Sequence, residues 1–266
     1  MGVSVARSPA RLEFGRVLRQ SVRFVGRRWA TLALLVLILG WAPQLVITFY
    51  TDRLLLLGKL TSTTVAVAMM FAGLISQAAA IACVLNGPSA PLSAPQAALV
   101  GLRAAPRLSL LWFILIAPSA IQLWLLPQHM DWVEEWSATL ARVELAVSLC
   151  FVYLLAVYPA VVLAERRGPI SSISRSVTLM AGTRWKVLVL YLLVMLMGFV
   201  PTLTAIITST WAIDFSSGAS GFASATTPFL QDVVGVLWAV VTAEAYLELS
   251  GRPDSETAGR LDDIFG

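Results

Sequence analysis

Long apolar runs separated by short polar stretches dominate the chain. They cover residues 29–50, 60–85, 108–126, 143–163, 185–208 and 229–249. Each approaches or exceeds the roughly 20 residues that a helix needs to cross a hydrocarbon core about 30 Å thick. None shows the short strict alternation of a barrel strand. The pattern predicts an all-α, polytopic membrane protein with about six transmembrane helices.

Two shorter stretches repeat with the period of an amphipathic helix. In the first, Phe14, Val17, Leu18, Phe24 and Val25 share one face, and Arg16, Arg19, Arg23 and Arg27 share the opposite one. This basic helix runs straight into the first apolar run, where Pro43 is expected to kink the span. The second lies within 159–194, PAVVLAERRGPISSISRSVTLMAGTRWKVLVLYLLV. Pro169 suits a first helical turn and Gly182 a C′ position. Between them Ile170, Ile173, Val177, Met180 and Ala181 fall on one face, with Ser171, Arg175 and Thr178 opposite. Only Leu179 is off the pattern. Both stretches read as helices lying in a membrane interface and feeding a spanning helix.

A shift of 156 residues lays Arg28-Trp29 on Arg184-Trp185, Gly26 on Gly182 and Arg19 on Arg175. A weaker third unit opens at Ser93, whose capping box with Gln96 starts a short helix that Pro106 is expected to end. The plan is three hairpin repeats, each an interfacial amphipathic helix on the cytoplasmic side, an outward span and a return span. Each outward span carries a proline: Pro43, Pro118 or Pro201. By extent, 1–28 is a basic amphipathic segment, 29–250 the six-span membrane domain and 251–266 a polar cytoplasmic tail. The first apolar run exceeds the 7–15 residues of a signal-peptide core, so it reads as an anchor.

Composition agrees: 58% of residues are hydrophobic and 13% charged, against roughly 25% charged in soluble domains. The distribution of charge says more than its sum. With six spans, sixteen of the nineteen Lys and Arg residues fall on the side that holds both termini, and three (Arg53, Lys59 and Arg142) on the other. That bias orients both termini toward the cytoplasm.

The chemistry-bearing residues are few. Cys83 and Cys150 sit inside apolar runs and read as small core residues. The single histidine, His129, lies near Asp131, Glu134 and Glu135 in a stretch that reads as an acidic external loop, so no metal or cofactor is expected. Phosphate-binding, zinc-protease, nucleophile-elbow and CxxC motifs are absent, as is a paired-carboxylate arrangement, so the chain is expected not to be an enzyme. The sharpest candidates are Glu165 and Arg175, with Ser176, Arg184, Arg16, Arg19 and Arg23: arginines that could hold a lipid phosphate and a carboxylate that could orient one. The plainer account, which the sequence favours, has Glu165 ending a span and Arg175 facing water. Gln44, Gln77, Gln122, Glu144 and Glu244 are polar groups in or near spans. The amides are expected to bond between helices and the two glutamates to snorkel to the interface. A basic helix abutting a span, with aliphatic and aromatic residues opposite, fits anionic phospholipid rather than nucleic acid.

Pro159-Ala160, Glu165, Arg175-Ser176 and Gly182-Thr183-Arg184-Trp185, with Ala245-Tyr246-Leu247 and Leu261-Asp262-Asp263-Ile264-Phe265, resemble a bacterial pattern. It is similar to the membrane domain found beside some glycerophosphoryl diester phosphodiesterases, and to its stand-alone six-span relatives. The resemblance covers most of the chain in layout and is motif-specific only around 159–185 and 244–265. It implies a module of a bacterial inner membrane; the catalytic barrel is absent, so its activity does not carry over. The expected role is a non-enzymatic module that engages anionic phospholipids, in lipid or envelope homeostasis or as a scaffold for a membrane-protein partner. The alternatives are a small transporter or flippase built on the hairpin repeat, and a membrane subunit of a lipid-acting enzyme.

The arginine bias yields a direct test. In a background lacking Cys83 and Cys150, cysteines at Ser137 and Ser217 should react with impermeant thiol reagents in intact cells. A cysteine at Ser174 should react only after lysis. Labelling of position 174 from outside would reverse the orientation.

Overall fold

All the regular structure is helical in the computed structural model, which describes residues 12–43, 59–87, 90–125, 133–165, 167–197 and 217–251. The first helix, α1 (Phe14–Leu35), changes direction at Arg28, whose φ of −118° and ψ of 16° are not helical. The basic part thus ends where the apolar part begins. A π-helical turn, Val36–Trp41, follows, and the Ala42 N–H bonds to the Leu37 carbonyl. Pro43 lies two residues beyond that turn. It has no N–H for the Leu39 carbonyl and its ring crowds the preceding turn, so regular α-bonding is already disfavoured there.

Next come α2 (Lys59–Leu85) and α3 (Ala94–Leu125), joined at Asn86-Gly87, where Gly87 has a φ of 69°. The Gln96 half of the capping box forms: the Ser93 N–H and hydroxyl both donate to Gln96 Oε1, at 3.0 and 2.9 Å. The short helix expected to stop at Pro106 does not stop there; α3 runs through it to Leu125. A proline inside a helix costs about 3 kcal/mol, and packing opposes that cost. Ala97, Val100, Ala104, Ala105 and Leu108 bury one face of α3, and Gly101 lies so close to α2 that a Cβ there would overlap the Ile75 carbonyl oxygen.

The chain then forms α4 (Val133–Leu155) and α5 (Tyr158–Glu165), bent by 45° across Ala156-Val157. Helix α6 (Pro169–Leu179) turns by 101° into α7 (Arg184–Met197), and α8 (Ser217–Ser250) closes the described chain. Gly182 has a φ of +82°. The helix cap is Met180, so the left-handed residue lies one position past C′. The Thr183 N–H and hydroxyl both donate to the Met180 carbonyl.

Two loop boundaries are corrected. The stretch expected as an acidic loop to residue 142 is helical from Val133, and the one expected as a loop to 228 is helical from Ser217. The second begins in a stretch rich in Ala, Ser and Thr. Even Pro228 lies in its interior.

The core is the meeting of α2, α5 and α8. From Ala78 to Leu85, from Val236 to Leu247, and at Tyr158, Ala160, Val161, Val162 and Leu163, most side chains are buried. Helix α2 packs on α3, α8 and α5, and α1 lies against α8. Small residues on α2 let these backbones approach. Phe229–Ser250 is long and apolar enough to cross a membrane, and up to three spans result if each bent pair, α4 with α5 and α6 with α7, counts as one. Phe71–Leu85 within α2 is an apolar helix shorter than a span, and residues 44–50, with Gln44, and 198–208, with Pro201, lie outside the described residues.

Two glycines separate close packing from backbone conformation. Gly101→Ala must push α2 from α3 and should cost about 1–3 kcal/mol. Gly182→Ala meets no atom within 4 Å and pays only for its left-handed backbone, about 1 kcal/mol. Thermal unfolding in detergent should rank them in that order; equal losses would mean that the α2–α3 approach does not limit stability.

Candidate functional site

Glu165 is the last residue of α5, a helix buried along most of its length. Only 5% of its side chain is exposed. Three groups converge on it. Arg175 Nε donates to Oε1 at 3.2 Å, Tyr246 OH donates to the same oxygen at 3.1 Å, and Arg167 Nε lies 2.8 Å from Oε2. A carboxylate this buried must be paired, and here it accepts from two cations and a phenol.

Local folding explains the convergence. Gly168 and Pro169 start α6 immediately after Arg167, so the link holds that arginine beside the end of α5. On α6 the side turned inward is Ser172, Ser176 and Met180, each 0% exposed. The apolar face read from the sequence is divided: Ile170 is 79% exposed, Met180 is buried, and Ile173 and Val177 flank the buried row. The serines face inward because α6 packs closely on α5. Arg175, next to that row, then meets Glu165. Tyr246 arrives from α8, itself fully buried.

The balance of charge is the property to notice. Two guanidinium groups share one carboxylate, leaving a net charge of +1. Each arginine is held through Nε, which leaves the two Nη groups at the end of each planar fork. Arg175 and Arg167 keep 34% and 50% of their side chains exposed. Such a pair can accept an oxyanion in bidentate fashion.

A second polar cluster sits at the same end of α8. The Glu13 N–H donates to Glu248 Oε1 at 3.0 Å, Arg16 contacts Glu13 at 2.9 Å and Glu248 at 3.9 Å, and Lys186 Nζ donates to the Leu12 carbonyl at 2.9 Å. The start of the basic helix is thereby tied to α8 and α7.

The other sequence candidates divide sharply. Ser176 is buried and cannot touch a ligand outside the fold. Arg184 stands over the Tyr153 ring, 5.8 Å from its centroid, and Trp185 meets the same ring edge-on. Arg16 is held by two carboxylates, whereas Arg19 and Arg23 are exposed on α1. Glu244 does not snorkel: it is 9% exposed, because α8 is buried on all sides from Ala239 to Leu247. Gln77 faces Gly235 of α8. Cys83 is buried but Cys150 is exposed. The side chains of Gln122 and Glu144 lie outside the described set, although both positions are helical. Sequence reasoning left Arg167, Glu248 and Lys186 as plain charges and read Tyr246 only as an aromatic near a span end. Glu248, Lys186 and Tyr246 carry no local mark, since their partners are 235, 174 and 81 residues away, whereas Arg167 lies two residues from Glu165. No protein-family model, curated protein or solved structure matches the chain.

The shared carboxylate makes its donors interdependent. Tyr246→Phe removes a hydrogen bond to a charged acceptor, a loss of about 1.5–3 kcal/mol. In a Glu165→Gln background the same change should cost markedly less, since neighbours in one network do not add. Equal costs in both backgrounds, by chemical denaturation in detergent, would show that the phenol is not held by Glu165.

Proposed function

We propose that the chain is a multi-pass protein of a bacterial inner membrane that holds anionic phospholipid through Arg175 and Arg167, with both termini in the cytoplasm. The observation that carries this reading is the excess charge: one buried carboxylate grips two arginines by Nε, leaving a positive charge and two exposed fork ends. A lipid phosphate supplies the missing negative charge and two acceptor oxygens per fork.

The surroundings support a headgroup rather than a soluble anion. Helix α6 turns through 101° into α7, the geometry of a helix lying on a membrane and feeding one that enters it. Ile170 and Trp185, exposed by 79% and 69%, flank this elbow, and Trp29, 67% exposed, follows the corresponding break at Arg28. Aromatic and aliphatic anchors beside arginines are typical of the level where headgroups meet acyl chains. The arginine asymmetry of the sequence supports the same placement, and in this reading six spans form three hairpin units. The role is that of a non-enzymatic lipid-engaging module or scaffold, the kind of module implied by the resemblance to the membrane domain beside glycerophosphoryl diester phosphodiesterases.

Native mass spectrometry of the purified protein, scoring retained phospholipid, tests the clamp. Arg175→Lys should lose bound anionic lipid nearly as fully as Arg175→Ala, because an ammonium does not reproduce the fork. Glu165→Gln should also weaken retention, and the double change should cost less than the sum of the single ones. Equal retention in wild type and all variants would leave Arg175 a solvated charge and remove the site.

A further inference from the structure

Asp232 lies one turn inside Phe229–Ser250, the segment of α8 able to cross a membrane. Charged groups in such a segment are costly and count as functional until explained. Nothing described explains this one. Its Oδ2 is sealed from solvent without a hydrogen-bond partner, and among the described residues no ion pair or hydrogen bond reaches either oxygen.

Bare backbone makes room for it. A Cβ at Gly40 would collide with the carboxyl group, and one at Gly73 would lie 3.9 Å from Oδ1. The carboxyl is thus held between a glycine of the π-helical turn and a glycine of α2. One turn farther along both helices, a Cβ at Gly235 would lie 2.8 Å from Gln77 Nε2. Phe229, one turn before Asp232, meets the Trp41 ring edge-on at 5.7 Å. The π-helical turn faces this group, and such turns recur at functional sites because they break the regular bonding of the helix.

Every helix seen to pack on α8 has been placed. The end of α1 and its π-helical turn bring Gly40, α2 brings Gly73 and Gln77, and α7 brings Tyr191, which meets Trp238 edge-on at 5.0 Å. Glu165 and Arg175, from α5 and α6, meet α8 at Tyr246, about 21 Å along the helix from Asp232 at 1.5 Å per residue. Glu244 lies about 18 Å away on the same scale. No cation among the described residues is positioned to neutralise the carboxylate. A metal cation needs several oxygen ligands, and one amide is at hand. A proton needs only the carboxylate itself.

We infer that Asp232 is a proton-binding carboxyl inside the helix bundle, a site for proton-linked change between α8 and the π-helical turn of α1. Uptake of one proton converts the carboxylate to a neutral acid that can rest against Gly40. Its release leaves a charge that this pocket does not compensate and favours separation of the two helices. The assignment requires that Phe229–Ser250 crosses the membrane and is independent of lipid binding at Arg175.

The test uses the full chain in phosphatidylcholine vesicles and dicyclohexylcarbodiimide, an apolar reagent that modifies protonated carboxyl groups. Peptide mass spectrometry should locate the N-acylurea adduct on Asp232, with a yield that falls about tenfold per pH unit above the midpoint of its titration. Asp232→Asn should abolish the adduct at this peptide, and Asp232→Glu should retain it. The pH profile of the unaltered protein stands even if Asn prevents folding. Absence of the adduct at every pH, a yield that does not change with pH, or protection by sodium but not by choline would each overturn the assignment, the last in favour of a metal-cation site.

Discussion

A carboxylate placed among apolar helices must be neutralised where it lies, and Glu165 meets that constraint with partners from three parts of the chain. Arg167 comes from the link after α5, Arg175 from α6 and Tyr246 from α8. Removing any one leaves buried polar atoms to be satisfied elsewhere, so the interaction fixes how the short α5 and the α6 elbow sit against the long α8. The direction of α7 follows, because α6 enters it through a single left-handed glycine.

The same end of α8 serves two units of the internal repeat differently. The later unit places an arginine on a buried carboxylate at Glu165, while the earlier one ties its start to Glu248 through Glu13 and Arg16. Both change helix direction just before a tryptophan, at Arg28 and across Gly182. The middle unit has no such break and continues straight through Pro106. The elbow is therefore present in two places and absent where α2 and α3 pack closely.

The proposed lipid site at Arg175 and the proposed proton site at Asp232 meet α8 at opposite parts, the first through Glu165 and Tyr246, and use opposite physics. At Glu165 the polar groups are over-supplied with positive charge and open to the outside. At Asp232 a negative group lies against glycine backbone with no cation described near it.

Periodicity and composition were enough to determine the all-helical class, the two amphipathic elements, the capping box at Ser93 and the special backbone near Gly182, because these depend on residues within a few positions of each other. The same local rules ended a helix too early at Pro106, where packing on α2 outweighs the propensity of one proline, and started α4 and α8 too late. Glu165 and Arg175 were legible as candidates, but the sequence favoured an Arg175 facing water, and only the structure joins the two. That Tyr246 completes them, that Ser172 and Ser176 are buried while Ile170 is exposed, that Glu244 is enclosed and that Asp232 is stranded against Gly40 were decided only by the tertiary structure. Each depends on which faces of distant helices meet, and a helical period fixes the angle between faces but not which one is covered.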